Sequence, residues 1–429
     1  MRRTSWLTPR RFLPPSASSS ENPPMRSLLA ALILAPATAF AGAYAIPNEN
    51  ARDLALSQSN VAAQNGPEAA HSNPAALAGQ KGLAVAASVE LLANQTKWSD
   101  PTLGSASLRG HSNFPPELAA SYGNALPNGM PYGVGLSLML PGGGSLPWPT
   151  NWPGANRIQD VDQKVWLTQA SAGIQPHPLF KLGASLLYYR VQEKLAVQIL
   201  DAGAAQLGLA GGAFTYGVAG EFHAPEGIPL TIAIDYKHQA PLELTGRAHF
   251  DNIPGSLTAQ LHDQNATEHV TAPNILYIGA AYELVPNLKV MGSWNLERWK
   301  SYTSDTYLGE SGGPLVSVPR NYNNAWVYRF GAEYANTPFL PPLTLRLGLL
   351  RSISEQPAST IDPSLTDGNS WAVSVGAGYE FIRGLRFDVG YQYAFFDKVT
   401  ATGIEAFPGT YDTKVHLVSA GITWRAPGM

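Results

Sequence analysis

The sequence predicts an all-β fold, a transmembrane antiparallel β-barrel of about fourteen strands, an even number as bacterial barrels require. Three observations predict it. The first is a period-two code. From Leu230 one parity reads Leu230, Ile232, Ile234, Tyr236, and the other reads Thr231, Ala233, Asp235, Lys237. The split returns at Trp326, Tyr328, Phe330 against Arg329, Gly331, Glu333, and at Leu343, Leu345, Leu347, Leu349 against Thr344, Arg346, Gly348. It returns again at Trp371, Val373, Val375 against Ser374, Gly376, Gly378, and at Phe387, Val389, Tyr391 against Asp388, Gly390, Gln392. Side chains alternate faces along a strand, so each segment has an apolar face and a polar or glycine face. The second observation separates this chain from a soluble sandwich. Aromatic residues close the ends of the apolar rows and charges stand opposite them, which describes a greasy, aromatic-girdled exterior around a polar interior. The third is composition: 14% of residues are charged, 45% are hydrophobic, and 41 Gly, 18 Tyr and 10 Trp suit a closed sheet with interfacial aromatics.

In chain order, residues 1–24 read as an extension from an early start, ahead of Met25. Met25-Arg26, the apolar run Leu28 to Ala35 and the small residues Ala39-Phe40-Ala41 form a secretory signal peptide, 25–41, set apart from the fold. Residues 42–80 show no alternation, are rich in Ala, Asn and Ser, and contain Asn73-Pro74-Ala75. The barrel occupies 81–429. Its strands are expected near 82–98, 114–124, 130–141, 161–176, 180–198, 213–225, 229–248, 268–284, 287–303, 323–336, 342–352, 370–382, 385–399 and 411–425. Short links such as Pro286-Asn287 and Arg383-Gly384 read as periplasmic turns. Longer links near 142–160, 199–212, 249–267, 304–322 and 353–369 read as outer loops.

The composition excludes several classes. No cysteine is present, so there is no disulfide framework or thiolate chemistry. A net charge of −3 argues against a nucleic-acid partner. The nine histidines are scattered, with no His-Glu-x-x-His pair and no Gly-x-Ser-x-Gly elbow, so no catalytic residue, metal or cofactor is assigned and the chain is not read as an enzyme. The charges on the polar parity (Asp235, Lys237, Glu297, Arg329, Glu333, Arg346, Arg386 and Asp388 among them) balance in sign. They read as an internal ion-pair network rather than the one-signed lining of an ion-selective pore.

Several segments together resemble a known family. They are Gly42-Ala43-Tyr44-Ala45-Ile46-Pro47, Asn73-Pro74-Ala75, Tyr132-Gly133-Val134-Gly135-Leu136 leading to Pro141-Gly142-Gly143, Ala281-Tyr282-Glu283, Trp294 with Trp299, Gly331-Ala332-Glu333-Tyr334 and Gly376-Ala377-Gly378-Tyr379. Their order and spacing resemble the outer-membrane long-chain fatty acid and hydrocarbon transporters of the FadL/TodX (OmpP1-like) type. The resemblance implies a fourteen-stranded barrel plugged by a small N-terminal hatch, in the outer membrane of a Gram-negative bacterium. It implies facilitated diffusion of a hydrophobic small molecule, with lateral exit into the bilayer. The partners expected are that ligand and outer-membrane lipids, with the protein acting as a monomer. The other readings are a general porin or surface adhesin barrel, and a lipid-acting barrel enzyme.

The site residues follow from both sources. Asn73, Pro74 and Ala75 form a rigid hatch turn, because Pro74 fixes its own φ and restricts Asn73. Leu146, Trp148 and Trp152, on a proline-stiffened outer loop, are expected to capture an apolar ligand. Gly133 and Gly135 are expected to mark a kink in the third strand, since glycine inside a strand often marks a bulge, and the resemblance makes such a kink the lateral opening. Arg190 and Lys194 share a parity near the outer end of the fifth strand, where a cation pair can hold a carboxylate. The resemblance favours Arg190 for that contact.

Overall fold

The computed structural model describes residues 50–199, 203–259, 261–404 and 406–426. The extension, the signal peptide, the start of the hatch segment and residues 427–429 lie outside the described residues. The fold is a closed antiparallel barrel of 14 strands. β1 (Gly82–Asp100), β2 (Pro116–Ala125), β3 (Pro131–Ser145), β4 (Asp160–His177), β5 (Phe180–Ile199) and β6 (Gly203–His223) follow in order. β7 is interrupted, Leu230–Lys237 then Ala240–Asp251, and so is β8, Gln264–Ala272 then Ile275–Val285. β9 (Leu288–Glu297), β10 (Ala325–Tyr334), β11 (Leu343–Ile353), β12 (Ser370–Ile382), β13 (Leu385–Phe396) and β14 (Thr410–Arg425) complete the wall. β14 meets β1 along a seam from Ala84 opposite Arg425 to Ser99 opposite Thr410, so the sheet has no free edge.

The expected code holds across the wall, with one refinement. Leu182, Leu186, Phe214, Tyr216, Phe330, Leu347, Val375 and Val389 face outward as an exposed apolar belt. Opposite them the interior is charged at the short-turn end. Towards the long-loop end the code inverts: Leu195, Val197, Leu207, Leu209, Leu242 and Leu244 point inward into one apolar core, and the outward positions Gln192, Lys194, Gln206 and Arg247 are exposed. Below the inversion the outside meets lipid. Above it the outward side chains are polar, and the inside is packed with loop side chains.

The inversion explains one misplaced loop. Residues 203–212 of the expected loop are strand: β6 starts at Gly203 and pairs with β5 from Ile199 opposite Gly203 down to Phe180 opposite Phe222. The Gly- and Ala-rich run Gly203 to Gly212 has weak strand propensity, which hid its alternation. Within the expected loop 304–322, two short strands, Ser304–Gly309 and Pro314–Pro319, form a hairpin that pairs with the first piece of β8.

Residues 50–80 lie inside the barrel. The hatch is made of α1 (Ala51–Ala55), a 3-10 turn Val61–Ala63, α2 (Ala69–Ser72) and a second 3-10 turn Pro74–Gly79. Asn50 caps α1 by accepting the Asp53 backbone N–H at 2.9 Å. Pro74 opens the second turn, where its missing N–H costs nothing.

Two walls grip this segment. On one side Gly123, Gly133, Gly173 and Gly183 stand opposite one another across β2, β3, β4 and β5. A Cβ at any of them would overlap the hatch backbone at Gln80, Leu77, Pro74 or Ala75. On the other side Gly331, Gly348, Gly376 and Gly390 lie against Leu56, Ser57, Ser59, Ala51 and Ala55. The glycines of the polar parity therefore leave room for the hatch.

Ion pairs lock the segment in place. Arg52 grips Glu333 with both prongs, at 3.0 and 3.1 Å, and Arg346 joins Glu333 and Asp388 at 2.7 Å each. Arg386 completes the chain on Asp388 at 3.0 Å. The expected internal network thus runs from the hatch through three strands.

Candidate functional site

Above the hatch the lumen narrows to a cavity of about 190 Å³. Gln58 of the hatch lies at its floor. Ile275, Val327, Leu350, Ala372, Ala394 and Leu417 supply apolar wall, and Asn94, Glu297, Arg329, Glu355, Asp367 and Gln392 supply polar groups. Arg329 is buried and donates to Asn295; Asn295 donates to Glu297 at 3.1 Å, and Glu297 accepts from the Trp299 indole at 3.1 Å. The guanidinium is thus committed to the wall beside its own counter-charge. At the rim, burial pushes the Asp367 carboxyl up to about 6, even though the Ser354 hydroxyl donates to it at 2.7 Å. The cavity is mostly apolar, and three carboxylates on its lining, Glu297, Glu355 and Asp367, face a single guanidinium, Arg329.

The loops close the cavity from above. Leu146, Trp148 and Trp152 are buried, not exposed, which corrects their expected role as a capture surface. Trp148 and Trp152 stack with centroids 4.3 Å apart, and Trp98 packs edge-on to Trp152 at 5.6 Å. Each indole N–H is satisfied: Trp148 by Pro363 O at 3.0 Å, Trp152 by Ile158 O at 2.9 Å, Trp98 by Pro408 O at 2.8 Å. Large apolar rings on a loop are stable only when covered, and three loops meet here to cover them. Trp152→Ala should remove about 3–5 kcal/mol of packing from this cap. Limited trypsin digestion should then cut after Arg157, in the same loop, in the variant but not in the wild type. Equal resistance would mean that the cap does not depend on this ring.

The wall is interrupted at β3. Its register is continuous at Gly133 and Gly135, which pair with β2 and with β4. Those glycines face the hatch, so the kink expected there lies further along. Pairing with β2 ends at Glu117 opposite Met139, and the register with β4 slips between Met139 and Gly142. Pro115, Pro116 and Pro141 flank the break, and proline cannot donate to a ladder. A recess of about 280 Å³ sits there, lined by Leu92, Phe114, Pro116, Leu140, Gly143 and Trp166. Leu92 lines both this recess and the central cavity, whose wall includes Pro141. The prolines were the signal available in the sequence.

Arg190 and Lys194 point outward and are exposed; Tyr189, Val191, Glu193 and Leu195 face in. Neither lines the cavity; the cation pair expected to hold a carboxylate near the outer end of the strand stands on the outer surface. Their parity is that of Leu182 and Leu186, and the inverted code puts polar residues on the outer surface at this height. Arg329 is the cation that meets the cavity. Asn73 is buried in the hatch, donating to Val61 O at 2.9 Å and to Glu221 at 2.8 Å, which fastens the Asn73-Pro74-Ala75 turn to β6.

A family described as outer membrane protein transport protein (OMPP1/FadL/TodX) matches residues 32–425. Among solved structures the chain is similar to a Pseudomonas aeruginosa FadL homologue, at 17% identity and a TM-score of 0.79 over 89% of this chain and 99% of that one. It is similar to the P. putida toluene transporter TodX, at 15% identity and 0.71 over 90% and 100%. It is also similar to the Ralstonia pickettii toluene transporter TbuX, at 16% identity and 0.64 over 87% and 98%. At such identities the likeness is one of fold. Among curated proteins none matches the chain significantly.

Proposed function

The chain belongs to the outer membrane protein transport family (OMPP1/FadL/TodX), and from that premise we propose that it carries compact, uncharged hydrophobic molecules across the outer membrane by facilitated diffusion. The ligand crosses the capped cavity and leaves sideways through the gap at β3 into the bilayer. Apolar surface resists a water-filled route by roughly 25 cal/mol per Å². A mostly apolar cavity that opens to lipid lowers that cost. The observation that carries this reading is Leu92, which lines the cavity on one side and the wall recess on the other. The hatch closes the straight path to the periplasm, so the wall is the remaining way out.

Size and charge favour a compact neutral ligand. A cavity of roughly 150 Å³ already holds benzene, and this one measures about 190 Å³. Arg329 lies beside Glu297 and is held by Asn295, and Glu355 and Asp367 add carboxylates to the same lining, so the polar pole does not attract a carboxylate. The test is uptake of labelled toluene and labelled palmitate by cells that lack other transporters of this kind. Toluene uptake should rise several-fold on expression, and Arg329→Met should leave it nearly unchanged. Palmitate uptake that exceeds toluene uptake and collapses in Arg329→Met would replace this reading with a fatty-acid carrier whose head group sits on Arg329.

A further inference from the structure

The outward face of β4 to β7, above the apolar belt, carries a group of cations, of which Arg190, Lys194 and Arg247 line neither the cavity nor the β3 recess. The belt ends on this face at Tyr188 and Phe214, whose rings lie 4.7 Å apart. Arg190 is two residues further along β5 and Lys194 six, roughly 7 and 20 Å along the strand. The register sets the neighbours. Arg190 stands between Trp166 and Gly212, Gln192 between Lys164 and Ala210, and Lys194 between Asp162 and Gly208. Gly208 in turn stands opposite Arg247 on β7. Lys164, Arg190, Lys194 and Arg247 are all exposed.

The acids nearby are mostly committed elsewhere. Asp162 lies 3.7 Å from Lys164, and Asp251 and Asp263 hold His249 at 3.0 and 2.6 Å. Glu243 sits lower on β7, opposite His269. Among the described residues no carboxylate forms an ion pair with Arg190, Lys194 or Arg247. The two glycines leave the surface concave. A recess of about 310 Å³ lies between Lys164 and Lys194 on one side and Thr245 on the other, with Gly208 and Ala210 on its lining; its two carboxylates are Asp162, beside Lys164, and Glu193, which accepts from Gln163 and Tyr307.

The position decides the occupant. One step above an aromatic girdle is the head-group layer, where cations reach for lipid phosphates. We infer that this face is a docking surface for the phosphorylated glycolipid of the outer leaflet, with Lys194 and Arg247 holding phosphate across the Gly208 notch and Arg190 below them. Arginine and lysine supply charge-assisted donors to phosphate, and the recess admits the bulk of the sugar.

The test uses the full chain in nanodiscs of phosphatidylethanolamine doped with lipid A, with dephosphorylated lipid A, or with phosphatidylglycerol, and lipid retention is read by native mass spectrometry. The wild type should retain lipid A over its dephosphorylated form by about tenfold, the size of one charge-assisted contact. The triple variant Arg190→Gln, Lys194→Gln, Arg247→Gln should lose that preference. Lys398→Gln, which removes a cation paired with Asp412 at 3.0 Å elsewhere on the barrel, should keep it. Toluene uptake should be the same in all three, since none of these residues lines the cavity. Equal retention of the two lipid A forms by the wild type would overturn the inference. So would a preference that survives the triple variant, or phosphatidylglycerol retained as tightly as lipid A.

Discussion

Deleting residues 50–79 should turn a barrel that passes almost no small polar solute into an open pore. The segment fills the lumen between two facing glycine walls, and those walls have no side chains with which to fill the space it vacates. The lower lumen is polar, so water enters as soon as the segment is gone. The barrel itself should survive, because its hydrogen bonds run between strands and close on themselves through β1 and β14. Glu333 loses Arg52 but keeps Arg346, and Glu117, which loses His71, is opened to the water that enters. The measurement is single-channel conductance, with heat-shifted gel mobility as the check on folding. Conductance equal to the wild type in a folded barrel would remove the hatch as the plug. Gly173→Leu is a point change with the same direction, since its side chain would collide with Pro74 and Ala75. It should raise conductance by a smaller factor, because most of the segment stays inside.

Deleting Pro141 alone should cut uptake several-fold while conductance stays low. Strand β3 carries one residue more than β4 between the pairs Met139–Leu167 and Gly142–Val165. Removing one residue lets Leu140 pair with Trp166 and restores an unbroken ladder. A straight β3 then runs on beside the end of β2, and the recess between Leu140 and Pro116 closes. Leu92→Trp reaches the same end without touching the ladder, by filling the passage between cavity and recess. Both variants should bind ligand in the cavity yet deliver several-fold less of it to the membrane. Normal uptake by both folded variants would mean that the ligand leaves by another route.

Much of this architecture was legible in the sequence because lipid imposes a simple rule. Trp326, Tyr328 and Phe330 face hydrocarbon, Arg329, Gly331 and Glu333 do not, and the alternation survives any detail of the loops. The rule fails where lipid ends. Arg190 and Leu186 share a face of β5, but Leu186 lies within the outward apolar belt and Arg190 beyond its end, so parity alone did not say what the cation meets. Leu146, Trp148 and Trp152 looked exposed because they sit on a loop. Their covers, Pro363 and Phe407 among them, come from loops more than two hundred residues away, a distance over which local pattern carries no information. The gap was readable in principle. Pro115-Pro116 and Pro141 each forbid a ladder bond, whereas Gly133 and Gly135 merely lack side chains, and the hatch explains that lack.

The seam between β1 and β14 also has a consequence for assembly. It joins the two most distant strands of the chain, so its closure entropy is the largest in the wall and neighbouring hairpins should form first. The hatch is tied to β1 by only Gln80 and Lys81. The strand that zips the seam therefore tows the plug, and closure and plugging become a single event. No late step is needed in which a folded plug threads a finished cylinder, and the nascent protein need never stand in the membrane as a leaking tube.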